Sequence, residues 1–295
     1  MALRPDAGSL AVQRLGPPDL VELFGFLDRD PVLNVYLLAL TLRDTLGRSH
    51  DEFWAARRQG EMVGLLHLGG RTGAVLLVGA DEEALRLLAD RVHSRLAFLP
   101  KRFQVIGPRR AVEIVAARLA EAGIASRLFR SQLYMAVERQ RLRPFERLSD
   151  LRRAEREDYP ALYQSGALLR LEELEEDPRR VDAEGYAKRV EEECRDGYTH
   201  LWQDRDGLCF RASVSAWTPD AAQVSGVYTP VARRNRGLAR RGLSELCARL
   251  HERSPVVCLF VNDFNAPAIA LYRRLGFEVR ADWASAFYGI GASGR

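Results

Sequence analysis

Apolar and polar positions run along the chain in two alternating periods, and the switches between them mark out the elements. In the second half, a short apolar strand through Val224 and Val227 ends at Pro230. The period then lengthens: Ala239, Leu243, Leu246, Cys247 and Leu250 share one helical face, with Arg240, Arg241, Glu245 and Arg249 off it. Val256 to Val261 is a continuous apolar run, the pattern of a strand buried on both faces. Asn262 to Asn265 gives a turn whose side chains can cap a helix, and Pro267 falls in that helix's first turn. The helix passes through Ile269, Tyr272 and Leu275 and stops at Gly276. Phe277 to Val279 begins another strand, and Ala284 to Tyr288 reads as a last one.

The first half repeats this order. Asp19 to Leu27 is a short helix, and Asp30-Pro31 begins a second that runs through Val35, Leu38 and Leu42. Phe53 to Ala56, Met62 to Leu68 and Ala74 to Val78 read as strands, with turns at Gly60 and Gly69-Gly70. Glu82 to Leu96 is amphipathic, Arg102 to Ile106 is a strand, Arg110 to Ala122 is helical and ended by Gly123, and Leu128 to Val137 gives a final strand or two. A polar stretch ending at Pro144 separates the halves. The expected domains are residues 1–140 and 145–295.

Length and composition agree with two domains. The chain has 295 residues, 47% hydrophobic and 28% charged, enough for sizeable cores. Its net charge of +4 could indicate nucleic acid, but 40 acidic residues are interspersed and arginine has displaced lysine throughout, leaving only Lys101 and Lys188. Cys194, Cys209, Cys247 and Cys258 have no metal-ligand spacing and read as reduced thiols, and the five histidines are scattered. Met1 to Leu10 lack the apolar core of a secretory signal, and no apolar run approaches the length of a membrane span, so the expected location is the cytoplasm.

The chemistry concentrates between the strand ending at Pro230 and the helix after it. Arg233, Arg234, Asn235 and Arg236 precede Gly237-Leu238-Ala239. Such a loop offers successive backbone N–H groups and a helix N-terminus to an anion, with guanidinium groups at the rim. Asn235 stands where a tight loop needs a positive φ. A surface loop in an arginine-heavy protein is the plainer alternative. The counterpart in the first half, Gly79-Ala80-Asp81-Glu82-Glu83, carries carboxylates that would repel a phosphate.

Together these residues resemble the acyl-CoA-binding core of the GNAT superfamily of N-acetyltransferases. Its Gln/Arg-x-x-Gly-x-Gly/Ala signature is matched by Arg234, Gly237 and Ala239, and its second motif by Asn265, Ala268 and Tyr272, followed by Gly276-Phe277. The resemblance covers roughly residues 145–290. The whole chain is similar to a group of bacterial tandem-GNAT proteins, through Asp30-Pro31 with Asn34 and Asn262-Asp263-Phe264-Asn265. It implies an α/β (α+β) fold of two tandem GNAT-like domains, each a mixed, mostly antiparallel central sheet flanked by helices, with the first domain degenerate.

The resemblance also implies roles. The co-substrate is acetyl-CoA, with no metal. Arg233, Arg234, Asn235, Arg236, Gly237, Leu238, Ala239 and Arg240 would hold its pyrophosphate. Val227, Tyr228 and Thr229 would line the pantetheine arm, with Asn265 and Ala268 near it. An amine would attack the thioester, a backbone N–H near Val227 would stabilise the oxyanion, and Tyr272 would protonate the departing thiolate. A core aromatic is the plainer alternative for Tyr272. The strand before the loop has no carboxylate, only Gln223 and Ser225, so the general base stays open among Asp263, Glu173, Glu176, His200 and none. Expected partners are a small-molecule or peptide amine acceptor and a second copy of the chain, with neither membrane nor nucleic acid. The rival function is a catalytically silent acyl-CoA-binding or regulatory protein; a peptidyltransferase using aminoacyl-tRNA ranks last because the loop is intact.

Gly289-x-Gly291-x-x-Gly294 formally matches a dinucleotide fingerprint, but only Arg295 follows, so no helix can receive a pyrophosphate. The acidic stretch Leu168 to Asp177 is either a solvated helix face or a field that attracts an amine.

Overall fold

A computed structural model describes residues 10–43, 46 and 50–289. The chain divides into two compact units, residues 1–134 with 280–295, and residues 135–279.

In the first unit, β1 (Leu10–Arg14) leads into α1 (Leu20–Leu27) and α2 (Val35–Arg43). The second helix starts later than the sequence indicates, because Asp30 to Asn34 forms a capping turn. Asp30 Oδ1 accepts from Leu33 N, and Asn34 Nδ2 donates 2.8 Å to the Leu27 carbonyl. Next come β2 (Asp51–Arg58), β3 (Glu61–Gly69), β4 (Ala74–Gly79), α3 (Glu82–Ser94), β5 (Arg102–Pro108) and α4 (Arg109–Glu121). β6 (Leu128–Glu138) carries the chain across the division at residue 134.

The second unit then runs β7 (Arg152–Arg153), α5 (Tyr159–Leu174), α6 (Pro178–Val181), α7 (Ala183–Asp196), β8 (Thr199–Asp204), β9 (Gly207–Trp217) and β10 (Ala221–Tyr228). α8 (Leu238–Leu250), β11 (Val256–Asn262) and α9 (Ala266–Leu275) follow. β12 (Glu278–Gly289) is one continuous strand, where the sequence suggests two short ones. The glycine-rich tail lies from residue 290 outside the described residues.

The units repeat one plan. In the first, β1 to β4 pair antiparallel in sequence order, and β4 then pairs parallel with β5. In the second, β7 to β10 pair antiparallel, and β10 pairs parallel with β11. Each parallel step is bridged by a helix, α3 or α8, as a parallel connection requires. The division departs from the expected domains at one end. Residues 280–289 group with the first unit, because β12 pairs antiparallel with β5 from Trp283↔Pro108 to Gly289↔Arg102. Ala284, Ala286 and Tyr288 enter the core formed with α3 and α4, and Tyr288 stacks on Phe103 at 4.7 Å.

In the second unit α8 is anchored on the side away from its sheet. Glu245, 3% exposed, accepts from Leu148 N, Arg147 and Arg249, while Ser244 Oγ accepts from Phe145 N at 2.7 Å. These bonds hold the strap from Phe145 to Leu151 along the helix. Gly242 permits close contact with the sheet, since a Cβ there would lie 2.4 Å from the Phe210 ring.

Candidate functional site

The site in the second unit begins where two parallel strands part. β10 and β11 pair only over Ala221↔Val256, Ala222↔Val257 and Gln223↔Cys258, although they continue to Tyr228 and Asn262. On the other edge of β10 the ladder with β9 steps from Ser225↔Ser213 to Tyr228↔Arg211, so Gly226 and Val227 bulge out of register. Gly226 supplies the positive φ of +60° that the bulge requires. Val227 is half-buried beside this opening.

The chain then turns through Thr229 and a short 3-10 segment into the arginine loop. Thr229 is buried, and its Oγ1 has no hydrogen-bond partner among the described residues. Asn235 adopts φ +61°, as its place in the loop predicts, and Gly237 adopts +76° as the N-cap of α8. No side chain caps this helix. The N–H groups of Leu238, Ala239 and Arg240 are therefore turned outward with the helix dipole behind them. A Cβ at Gly237 would meet nothing within 4 Å, so the protein itself leaves the space in front of the loop open.

The arginines of the loop are less available than their number suggests. Arg233 is held by both oxygens of Asp204 and donates to the carbonyls of Gly207 and Leu208. Its guanidinium keeps the Asp204 carboxyl well below the usual carboxylate range. Arg234 bonds the Thr229 carbonyl through Nε at 3.0 Å, and its Nη2 reaches both oxygens of Glu172 on α5 at 2.7 and 2.9 Å. Both guanidinium groups are already paired with carboxylates, Arg233 half-buried and Arg234 at the surface, where the sequence suggests a free cationic rim. Arg240 places its guanidinium carbon over the Phe145 ring, 4.3 Å from the centroid, with its Nε buried and unpartnered among the described residues. Arg236 is exposed and makes no hydrogen bond or ion pair among the described residues.

The second motif lies at the end of β11. Asn265 caps α9, its Oδ1 accepting from Ala268 N at 3.3 Å, and Pro267 occupies the first turn. Tyr272 is 5% exposed, with its ring 5.8 Å from that of Phe277, and its hydroxyl makes no hydrogen bond among the described residues. Burial pushes its pKa well above the ordinary tyrosine value, and the charges of Glu173 on α5 and Cys247 on α8 add to this. The group stays a neutral phenol across the biological pH range, able to donate a proton.

Among the open base candidates, His200 is separated from the site. Neighbouring Thr199 turns toward α7, so His200 faces the opposite side of β8 by strand alternation. Burial, with Arg153 and Arg249 nearby, lowers its pKa to about 4. Arg249 stands twelve residues along α8 from Gly237, about 18 Å by helical rise. Gln223 is held as a neutral amide, donating 2.9 Å to Ser215 Oγ. Sequence reasoning missed Glu172 and Asp204 as partners of the loop, and it missed the buried Arg211 behind the bulge. A lone arginine inside the apolar run of β9 was the available signal.

The first unit contrasts with this arrangement. Asp81 caps α3 with its own carboxylate, accepting from Ala84 N at 3.0 Å, and it pairs with Arg58. A side-chain anion already occupies that helix N-terminus. Among the described residues no group of three or more His, Cys, Asp or Glu is placed to hold a metal ion. No helix among them is long and apolar enough to cross a membrane. A cleft of about 360 Å³ lined by Gln140, Arg141, Leu142, Arg143, Gly276 and Glu278 borders the C-terminal end of α9 and contains none of the expected site residues.

Comparison with known proteins places this geometry. Residues 211–287 match the family model of FR47-like protein. A tandem GNAT protein from the clavulanic acid biosynthesis pathway superposes with a TM-score of 0.56 at 17% identity, over 97% of this chain and 100% of its own. A GCN5-related N-acetyltransferase from Sphaerobacter thermophilus gives 0.57 at 17% identity, over 94% and 95%. A Drosophila protein gives 0.62 at 13% identity, over 93% and 98%. No curated protein sequence matches the chain. At these identities the likeness shows the fold: two GNAT-like domains in tandem, mixed α/β, with mostly antiparallel sheets flanked by helices.

Proposed function

We propose that this chain of tandem GNAT fold is an acyl-CoA-dependent N-acetyltransferase that moves the acetyl group of acetyl-CoA to a primary amine by direct attack. The observation that carries the reading is the parting of β10 and β11 beyond Gln223↔Cys258, with the uncapped amides of the loop from Asn235 to Arg240 leading from it. An extended pantetheine arm fits between strands whose inner edges are unpaired, and a pyrophosphate fits a helix N-terminus without a side-chain cap. The amides, Gly237 and Arg236 then supply the anion site, with Arg240 beside them. Asn265 and Ala268 border the thioester end.

In the reaction the neutral amine nitrogen bonds to the thioester carbon, and the carbonyl oxygen becomes an oxyanion that accepts from Val227 N–H. Collapse of that adduct breaks the C–S bond. The departing thiolate takes the Tyr272 hydroxyl proton, and the phenolate is reprotonated from solvent as the new amide loses its extra proton. The Tyr272 hydroxyl bonds no other described group, so its proton is available for this donor role, although the burial that keeps it protonated also makes it a weaker acid. It also disfavours the catalytically silent alternative.

Titration with acetyl-CoA and free CoA by calorimetry tests the reading. One micromolar site per chain that is lost in Gly237→Asp is expected. Two sites would mean that the Asp81-capped unit binds as well, and no binding would remove the proposed function.

A further inference from the structure

A buried polar cluster lies directly behind the bulge at Gly226 and Val227. Arg211, opposite Tyr228 on β9, is 4% exposed and points under α5 and α7. Its Nη1 donates to the Leu162 carbonyl at 3.3 Å and to Ser165 Oγ at 3.4 Å, and its Nη2 is bound by Glu193 of α7. The same Glu193 oxygen accepts from Thr199 Oγ1 and from Ser213 Oγ, and the two hydroxyls are 2.6 Å apart. The cluster reaches the bulge closely. A Cβ on Gly226 would lie 3.7 Å from Ser213 Oγ and 3.9 Å from Arg211 Nη2. Arg211 Nε is buried and has no partner among the described residues.

A buried ion pair is seldom kept for stability, since apolar side chains of like volume do as well or better. Its place points instead to the peptide that bulges over it. We infer that Arg211, held by Glu193, is a positioning residue for the oxyanion donor. It fixes the Gly226–Val227 bulge and sets a cation behind the Val227 N–H in a low-dielectric interior. This inference rests on the proposed acetyl transfer and names a residue that the family signature does not include. Because the cation is fixed before substrate arrives, it polarises the bound thioester carbonyl without reorganisation. Glu193 serves to hold the guanidinium in place: its Oε1 accepts from Arg211 Nη2 and from the Thr199–Ser213 hydroxyl pair, which fixes the carboxylate.

The test needs no acceptor amine. Acetyl-CoA labelled with ¹³C at the carbonyl is bound to the full chain, and the infrared carbonyl stretch is compared with that of free acetyl-CoA. The wild type is expected to shift the band to lower frequency, and Arg211→Lys is expected to retain most of the shift. Arg211→Met alone strands Glu193 and can unfold the unit, so Arg211→Met/Glu193→Met is the decisive variant. It is expected to lose more than half of the shift while acetyl-CoA affinity stays within about threefold. An undiminished shift in a folded double variant, or no shift in the wild type, overturns the role of Arg211. Absence of acetyl-CoA binding to the wild type overturns the proposed function itself, which calorimetry on the same sample reveals.

Discussion

Glu172→Gln should make the protein bind acetyl-CoA more tightly. Arg234 is the first residue of the loop signature, yet both oxygens of Glu172 bind it at 2.7 and 2.9 Å. On the proposed function, phosphate and Glu172 would compete for one guanidinium. The two side chains are 40% and 38% exposed, which limits the pair to about 0.2–1 kcal/mol. Removing the carboxylate charge also lifts its repulsion of the ligand, roughly 0.4 kcal/mol per ligand charge at a distance on the order of 10 Å in water. The sum, about 0.5–1.5 kcal/mol, corresponds to a two- to tenfold lower Kd. Calorimetry at about 0.05 M and 0.5 M salt should show the gain shrinking as the Debye length contracts. Thermal stability should change by no more than about 1 kcal/mol, because the pair is half-exposed. Weaker binding by the variant would refute the competition and make Glu172 a group that orients Arg234 for its ligand. Equal binding at low salt would show that Arg234, even when released, does not contact the ligand.

Three further outcomes follow from the site and its surroundings. Gly237→Asp should fold, since a Cβ there meets nothing and the left-handed backbone costs an aspartate only about 1 kcal/mol, yet acetyl-CoA binding by calorimetry should be lost. Tyr272→Phe should keep cofactor affinity and lose little stability, because the hydroxyl has no partner among the described residues, while single-turnover acetyl transfer falls about a hundredfold or more; unchanged turnover would return the residue to core packing. His200 is half-buried and neutral with a pKa of about 4, whereas the unfolded chain's imidazole titrates near 6.5. The unfolded state therefore binds the extra proton first. Stability is full above pH 6.5 and falls by at most about 3 kcal/mol as pH drops to 4, a loss that His200→Gln should reduce in urea melts.

The sequence made the local features of the site legible. Helices α3, α8 and α9 are marked by their period, α9 also by its capping Asn265, and the left-handed turn at Asn235 can be read from residue type alone. Such features depend on neighbours within one or two turns. The partners of the arginines were not legible, because Glu172 and Asp204 lie 62 and 29 residues from Arg234 and Arg233. The polar cluster behind the bulge was hidden for the same reason: Glu193, Thr199 and Arg211 come together only when α7 covers the sheet. The continuity of β12 escaped notice because its first half, from Glu278 to Asp282, is polar and largely exposed, so only the buried half shows strand periodicity.

The grouping of residues 280–289 with the first unit constrains how the protein is made. Synthesis is vectorial, and an N-terminal domain ordinarily closes while the rest of the chain is still being translated. Here β5 must wait for the strand that pairs with it from Arg102 to Pro108, and that strand leaves the ribosome only after all of residues 135–279. Until then the first unit lacks Ala284, Ala286 and Tyr288 from its core and displays an open strand edge, a template for unwanted pairing. The nascent chain therefore completes its first-made unit last.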